Sequence, residues 1–294
     1  GMGVAGMDLK EEDEVDHLFI TSTHNYLLFF TSVGKVYRLK VHELPLAGRN
    51  AKGKHIVNLL PLRQEEKICA VINTRNFDVS EGKYLIFGTK QGVVKKTLFA
   101  SYNTPRKSDG IIAIDIRDGD ELLAVRHTSG DDDVMMISRL GQAIRFHEGD
   151  VRPMGRNASG VRGMKLRKGD EVISMDIARD DSDLFVITEN GFGKRTPISD
   201  YRITGRGGIG VRTIALTDRK GYLVGVKVVR ENHEIMLQSR EGVVIRVRAD
   251  GISRHGRATQ GVKVMNMREG DVVSAIARMV VSESGATDEE IEAD

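Results

Sequence analysis

The chain predicts an all-β fold, a propeller-like ring of repeated modules of about 50 residues, each with about four short strands. Three observations carry that expectation. A turn glycine followed four residues later by a base recurs along the chain. A Gly-Arg pattern recurs between its copies. No segment shows the apolar period of a long amphipathic helix.

The first pattern appears as Gly34-Lys-Val-Tyr-Arg38, Gly92-Val-Val-Lys-Lys96, Gly141-Gln-Ala-Ile-Arg145, Gly191-Phe-Gly-Lys-Arg195 and Gly242-Val-Val-Ile-Arg246, at spacings of 58, 49, 50 and 51 residues. Asn190-Gly191 and Glu241-Gly242 supply the positive-φ position that a tight hairpin needs. Val134-Met-Met-Ile137 and Leu184-Phe-Val-Ile187 are continuous apolar runs, as strands covered on both faces should be.

The second pattern, Gly-Arg-x-x-x-Gly, spans Gly48 to Gly53, Gly155 to Gly160, Gly205 to Gly210 and Gly256 to Gly261, with a shortened copy ending at Gly110. The chain's start keeps the same register. Gly3-Val4, Gly6-Met7 and Asp13-Glu14-Val15 match Gly160-Val161, Gly163-Met164 and Asp170-Glu171-Val172 at a constant offset of 157. The chain therefore reads as a half-repeat over 3–23, then modules over about 24–80, 81–131, 132–182, 183–232 and 233–281.

Residues 282–294 carry six acids and no Lys or Arg, so the rest of the chain holds a charge of +8 against +2 for the whole. This segment reads as an acidic, disordered tail beside a basic body. The single cysteine, Cys69, can form no internal disulfide; it sits in an apolar run and reads as a buried strand residue of a protein in a reducing cytoplasm. No apolar stretch is long enough for a membrane helix.

A base repeated at one module position falls on one face of every module. Arg38, Lys96, Arg145, Arg195 and Arg246 share one position, and Arg49, Arg156, Arg206 and Arg257 share another. Such stripes can follow a phosphate backbone without reading base sequence. With neighbouring bases, the candidate DNA contacts are Arg38, Lys40, Arg49, Lys52, Lys54, Lys95, Lys96, Arg106, Lys107, Arg145, Arg156, Arg162, Lys194, Arg195, Arg206, Arg212, Arg246, Arg248, Arg257 and Lys263. The bland alternative is a set of solvated bases that blunt strand edges. A surface for an acidic protein partner is a further alternative.

Catalytic signals are poor. The histidines, among them His17, His24, His42, His55 and His127, form no helical ligand pair. Asp131-Asp132-Asp133 lies in a turn between modules, where solvated acids are usual. Gly205-Arg-Gly-Gly-Ile-Gly210 lacks the Lys-Ser/Thr end of a nucleotide loop. No catalytic residue, metal site or cofactor is expected.

Thr23-His24-Asn25-Tyr26-Leu27-Leu28-Phe29-Phe30, Gly34-Lys-Val-Tyr-Arg38, Ile56-Val57-Asn58-Leu59-Leu60-Pro61-Leu62 and Arg152-Pro-Met-Gly-Arg-Asn-Ala-Ser-Gly-Val161 resemble the C-terminal domain of the bacterial DNA gyrase A protein. The resemblance covers the chain apart from the acidic tail. It implies a six-bladed β-pinwheel that wraps duplex DNA around a basic rim, so that the holoenzyme can introduce negative supercoils. It also implies a cleavage core preceding this domain in the native chain, a gyrase B partner in an A2B2 assembly, and ATP and Mg2+ used elsewhere in that assembly. The domain by itself is expected to be a non-catalytic monomer in the bacterial cytoplasm, associated with the nucleoid.

This sequence departs from the family in lacking the Gln-Arg-Arg-Gly-Gly-Lys/Arg-Gly heptad, of which only Gly3 matches the last position. The first blade is therefore expected to be incomplete. The related C-terminal domain of topoisomerase IV, which lacks the heptad and usually has fewer blades, is the alternative within the family. A propeller-like protein-interaction scaffold is the alternative outside it.

Overall fold

Each blade grows from one hairpin, and a Thr or Ser three residues before a Gly fixes that hairpin. The computed structural model of the chain describes residues 26–41, 58–75, 77, 82–105, 107–281 and 287–288. It contains five such hairpins: β1 (Tyr26–Thr31) with β2 (Lys35–Lys40), β4 (Tyr84–Thr89) with β5 (Val93–Leu98), β8 (Asp133–Ser138) with β9 (Gln142–His147), β12 (Asp183–Thr188) with β13 (Phe192–Pro197), and β16 (His233–Ser239) with β17 (Val244–Arg248).

At the fourth hairpin Gly191 N–H donates to Thr188 O at 3.0 Å, and the Thr188 hydroxyl accepts from Phe192 N–H at 3.2 Å. Thr89, Ser138 and Ser239 accept in the same way from Val93, Gln142 and Val243. Gly191 has φ 89°, and a Cβ there would lie 2.3 Å from the Met265 carbonyl oxygen. Only glycine meets both constraints.

A third strand returns beside the first strand of each hairpin. These are β3 (Ile68–Thr74), β7 (Leu122–Thr128), β11 (Val172–Ala178), β15 (Leu223–Val229) and β19 (Val273–Val281), each antiparallel to its neighbour and each with one register shift. In the β7, β11 and β19 blades the shift falls where a Gly-Asp turn reaches across to the hairpin loop. The Asp170 carboxylate accepts from Leu140 and Glu171 N–H groups at 3.0 and 2.8 Å. Asp120 and Asp271 hold their own turns in the same manner.

The fourth strand is handed back to the preceding blade. β6 (Ile111–Ile112) pairs with β2, β10 (Val161–Arg162) with β5, β14 (Val211–Arg212) with β9, and β18 (Val262–Lys263) with β13. Gly160 shows how close the approach is: its φ is 99°, and a Cβ would sit 2.5 Å from the Val94 carbonyl oxygen. Modules with about four strands are thus observed, but one strand of each is exchanged.

In the last blade the fourth strand is β20 (Thr287–Asp288), which pairs with β19, so β17 lies at a sheet edge among the described residues. β20 falls within the segment that reads as a disordered tail; two residues of that segment thus belong to a sheet. Five four-stranded blades are present among the described residues, where the family resemblance implies six. The half-repeat over 3–23 lies outside the described residues, as does the tail apart from Thr287–Asp288.

The chain forms two compact units. One combines described residues up to Asp132 with Glu148–Gly163, and the other combines Asp133–His147 with Met164 onward. The exchanged strand β10 explains why Glu148–Gly163 joins the unit that holds β5. In the first unit Leu28, Phe30 and Ile72 of one blade pack with Leu85, Phe87 and Val125 of the next. In the second unit strand alternation splits β12 between two cores. Leu184 and Val186 pack with Met135 and Ile137, while Phe185 and Ile187 pack with Ile235 and Leu237. Cys69 is half-buried in β3, with its Sγ 3.4 Å from the Phe30 carbonyl oxygen.

Gly191→Ala should lower the unfolding free energy by about 1–3 kcal/mol, because both the positive φ and the Met265 carbonyl oppose a side chain. A shifted urea midpoint with an unchanged slope reads this out. A midpoint equal to the wild type would mean the turn tolerates a Cβ.

Candidate nucleic-acid interface

The exchanged strand decides which bases reach solvent. It covers the second hairpin strand in four of the five blades, and the bases four residues after the turn glycine lie beneath that cover or beside it. Arg145 is buried; its guanidinium meets Asp133 and Asp180, each at 2.9 Å, and donates to the Ile198 and Tyr201 carbonyls. Arg195 is buried against Asp183 at 3.0 Å and donates to Ile252 O at 2.8 Å. Lys96 donates to Glu148 O at 2.9 Å, and its Nζ lies 3.6 Å from the Glu148 carboxylate. Glu148 is itself fully buried, accepting from the Thr128 hydroxyl and from Asp132 N–H. Arg38 is half-buried, donates to Thr104 O at 2.8 Å and lies 4.1 Å from the centre of the Tyr26 ring.

The sequence reads these four bases as one stripe on a DNA-facing surface. The structure corrects that reading: each is engaged by carboxylates, carbonyls or rings that connect a hairpin to a following loop, and Lys96, Arg145 and Arg195 are withdrawn from solvent. Arg246 occupies the same position in the last blade. No exchanged strand covers β17 among the described residues, and Arg246 is exposed there, 3.1 Å from Glu234. Arg248, also exposed, pairs with Asp250 at 3.0 Å.

Lys95 and Lys194 are corrected more sharply, since both are fully buried. Lys95 Nζ donates to Ala113 O at 2.5 Å and Arg156 O at 2.8 Å, with the Phe87 ring centre at 4.8 Å. Lys194 Nζ donates to Gly256 O, Arg257 O and Thr259 O at 2.7, 2.9 and 2.9 Å. Burial, reinforced by the neighbouring Arg156 charge, pushes the Lys95 amine down to about 7. Burial, with Arg257 and Lys220 nearby, pushes the Lys194 amine down to about 8.

The second set of bases is different. Arg162, Arg212 and Lys263 stand exposed on β10, β14 and β18, and Arg206 is exposed on the loop before β14. Arg156 and Arg257 are half-buried on the loops before β10 and β18 and donate to backbone, Arg156 to Ile112 O at 3.2 Å and Arg257 to Asp200 O at 3.0 Å. Each of these exchanged loops and strands thus presents two bases six residues apart: Arg156 and Arg162 in the first unit, then Arg206 with Arg212 and Arg257 with Lys263 in the second. β6 carries the exposed Ile112 at the corresponding place. Lys40 and Lys107 are exposed on the first blade and the loop before β6. Arg49, Lys52, Lys54 and Arg106 lie outside the described residues.

Among the exposed bases that sequence reasoning leaves out are Arg152 and Arg202. A signal for them exists: each stands three residues before the glycine that opens a Gly-Arg loop. The Gly205–Gly210 loop leads into β14 and not into a helix, so it has no nucleotide-loop geometry. His127 packs edge-on against Phe99 with 4.5 Å between ring centres, and burial pushes it down to about 4, so it is neutral near neutral pH. Among the described residues no group of three or more His, Cys, Asp or Glu is placed to hold a metal ion, and no helix is long and apolar enough to cross a membrane.

A family profile described as "DNA gyrase C-terminal domain, beta-propeller" matches residues 1–22, 25–74, 83–129, 132–179, 182–230 and 233–278. The chain belongs to the DNA gyrase C-terminal domain family. Its fold is accordingly an all-β propeller. It is 53% identical over 290 residues to the DNA gyrase A protein of Halalkalibacterium halodurans, covering 99% of this chain and 34% of that one. It is 48% identical over 279 residues to the DNA gyrase A protein of Clostridium acetobutylicum, covering 95% of this chain and 33% of that one. The chain therefore spans about a third of the length of these relatives. Among solved structures, the C-terminal domain of DNA topoisomerase IV superposes with a TM-score of 0.82 at 27% identity, covering 88% of this chain and 80% of that one. The DNA gyrase A C-terminal domain superposes with a TM-score of 0.73 at 26% identity, covering 88% and 83%.

The two buried amines predict a pH dependence. In the unfolded chain a lysine titrates near its ordinary value of 10.5, so between the folded value and 10.5 the unfolded state binds more protons. Stability should rise with pH across that window, from about 7 for Lys95 and about 8 for Lys194. Urea midpoints measured between about pH 7 and 9.5 should climb, and the double variant Lys95→Met, Lys194→Met should flatten the climb. A wild-type midpoint that falls over this range would contradict the burial of the charges.

Glu148→Ala should destabilise the first unit by about 3–5 kcal/mol, since it strands the buried Lys96 ammonium without a carboxylate. Thermal or urea unfolding checks this, and a loss under about 1 kcal/mol would show that the pair contributes little.

Proposed function

We propose that this chain is a DNA-binding and DNA-bending domain of a gyrase A protein and performs no bond-making or bond-breaking step itself. The observation that supports this reading most is the repeated pair of bases on each exchanged loop and strand: Arg156 with Arg162, Arg206 with Arg212, and Arg257 with Lys263. Arg presents a planar fork of donors suited to phosphate, and bases at one module position meet a backbone of regular charge. Phosphate contacts of this kind position a duplex without selecting its sequence.

In this reading the domain wraps duplex DNA so that the holoenzyme can introduce negative supercoils. Its partners are duplex DNA, the cleavage core of the same native chain and gyrase B in an A2B2 assembly, in the bacterial cytoplasm at the nucleoid. ATP and Mg2+ act elsewhere in that assembly, and this domain uses no cofactor. A full complement of six blades belongs to the same proposal.

A second reading is a topoisomerase IV type of domain that binds DNA with less complete wrapping. One observation favours it: the superposition on the topoisomerase IV domain.

Two measurements separate the readings. If about six phosphates are neutralised, log K for duplex DNA should fall with log salt at a slope near −5. Arg162→Ala, Arg212→Ala and Lys263→Ala should each weaken binding evenly across sequences and reduce that slope by about one. Ligation of a nicked circle in the presence of the protein should trap writhe. No binding at low salt would sink the proposal, and binding without trapped writhe would favour the second reading.

A further inference from the structure

One module position has three kinds of occupant, and they sort the Gly-Arg loops accordingly. Three residues after the turn glycine stand Tyr37, Lys95, Ile144, Lys194 and Ile245. In the β5 and β13 blades this residue is a lysine, and its ammonium points into the exchanged loop. In the β9 blade it is Ile144, and the loop opposite is Gly205-Arg-Gly-Gly-Ile-Gly210. A cavity of about 210 Å³ remains there, lined by Ile144, Arg145, Tyr201, Thr204, Gly205 and Gly208 among others.

We propose that Lys194 and Lys95 are positioning residues for DNA, each setting the shape of the Gly-Arg loop that presents Arg257 or Arg156. This rests on the DNA-binding reading above. The geometry is closest to complete at Lys194. Its Nζ donates to three points along the loop, at Gly256 O, Arg257 O and Thr259 O, and lies 3.0 Å from the Thr259 hydroxyl. These carbonyls are turned inward on one point charge. The Arg257 carbonyl is thereby fixed while its side chain donates to Asp200 O and Arg212 O. Lys95 repeats this with Arg156 O and Ala113 O, and the Tyr102 hydroxyl donates to the same Ala113 carbonyl at 2.8 Å.

Neither lysine offers its own charge to phosphate, because both side chains are fully buried. Burying an ammonium opposes folding, while its hydrogen bonds to the Gly256, Arg257 and Thr259 carbonyls oppose its removal. The ammonium groups therefore act on loop shape. The charged groups around Lys194 are Arg257 and Lys220, both of its own sign, and around Lys95 Arg156. Carbonyl dipoles balance the charge in both places.

The test is a double-mutant cycle on duplex DNA affinity, with Lys194→Met combined with Arg257→Ala. Lys194→Met alone should weaken binding about fivefold to tenfold in protein that still unfolds in one cooperative urea transition. In the Arg257→Ala background the same substitution should change affinity less than about twofold, because the residue it positions is gone. Equal losses in both backgrounds, or no loss in either, would overturn the proposal. Hydrogen exchange on the unmodified protein supplies the second measurement, whether or not the variant folds. Amides of 155–160 and 256–261 should be better protected than those of 205–210, which lacks a lysine beneath it. Equal protection of all three loops would overturn the proposal. Failure of the unmodified protein to bind duplex DNA would instead refute the DNA reading, and exchange protection would still report on the clamp.

Discussion

The exchanged strand is the constraint on which the rest of the structure depends. Two residues from each following module, such as Val161–Arg162 on β5, complete a sheet begun by the module before. The pairing is short, and its stability comes from what surrounds it. Gly160 allows the backbone to approach Val94, Met154 N–H donates to Lys96 O, and Gly163 N–H donates to Gly92 O. Together these bonds seat the segment from Met154 to Gly163 along the open side of a hairpin. A sheet edge that would be a template for unwanted pairing is covered by the chain itself.

That cover divides the basic residues into two populations. A base on the covered strand must find partners within the protein, since an unpaired buried charge is strongly unfavourable. Arg145 finds Asp133 and Asp180; Arg195 finds Asp183; Lys95 and Lys194 find backbone carbonyls. A base on the covering strand keeps its exposure. The same positive charge thus builds the blade in one place and faces water a short stretch of chain further on. Arg246 shows the rule from the other side: without an exchanged strand over β17 among the described residues, it is exposed.

The buried lysines show how local chemistry can serve a surface at one remove. An ammonium is compact and has three donors, so it can gather carbonyls from a loop that has little regular hydrogen bonding of its own. Tyr201, which follows β13, pairs its hydroxyl with that of Thr213, and burial pushes it up to about 12. The loops over Lys95, Ile144 and Lys194 share a sequence pattern but are supported by different means.

Much of the fold was legible in the sequence. The turn glycines and the apolar runs such as Leu184-Phe-Val-Ile187 are local signals, and local sterics and hydrogen bonding act on them directly. The repeat register placed these signals at equivalent points, and it marked Arg156, Arg206 and Arg257 as one set. What the sequence by itself could not decide was which sheet each short strand joins. A two-residue strand such as Val211–Arg212 has no periodicity to read, and its partner lies about 70 residues earlier in the chain, on β9. The fate of the bases on the hairpins followed from that long-range pairing. Lys194 and Arg206 look alike as positive charges in a sequence. Only the tertiary structure buries one among carbonyls and leaves the other facing water, because burial depends on which strand lies on top.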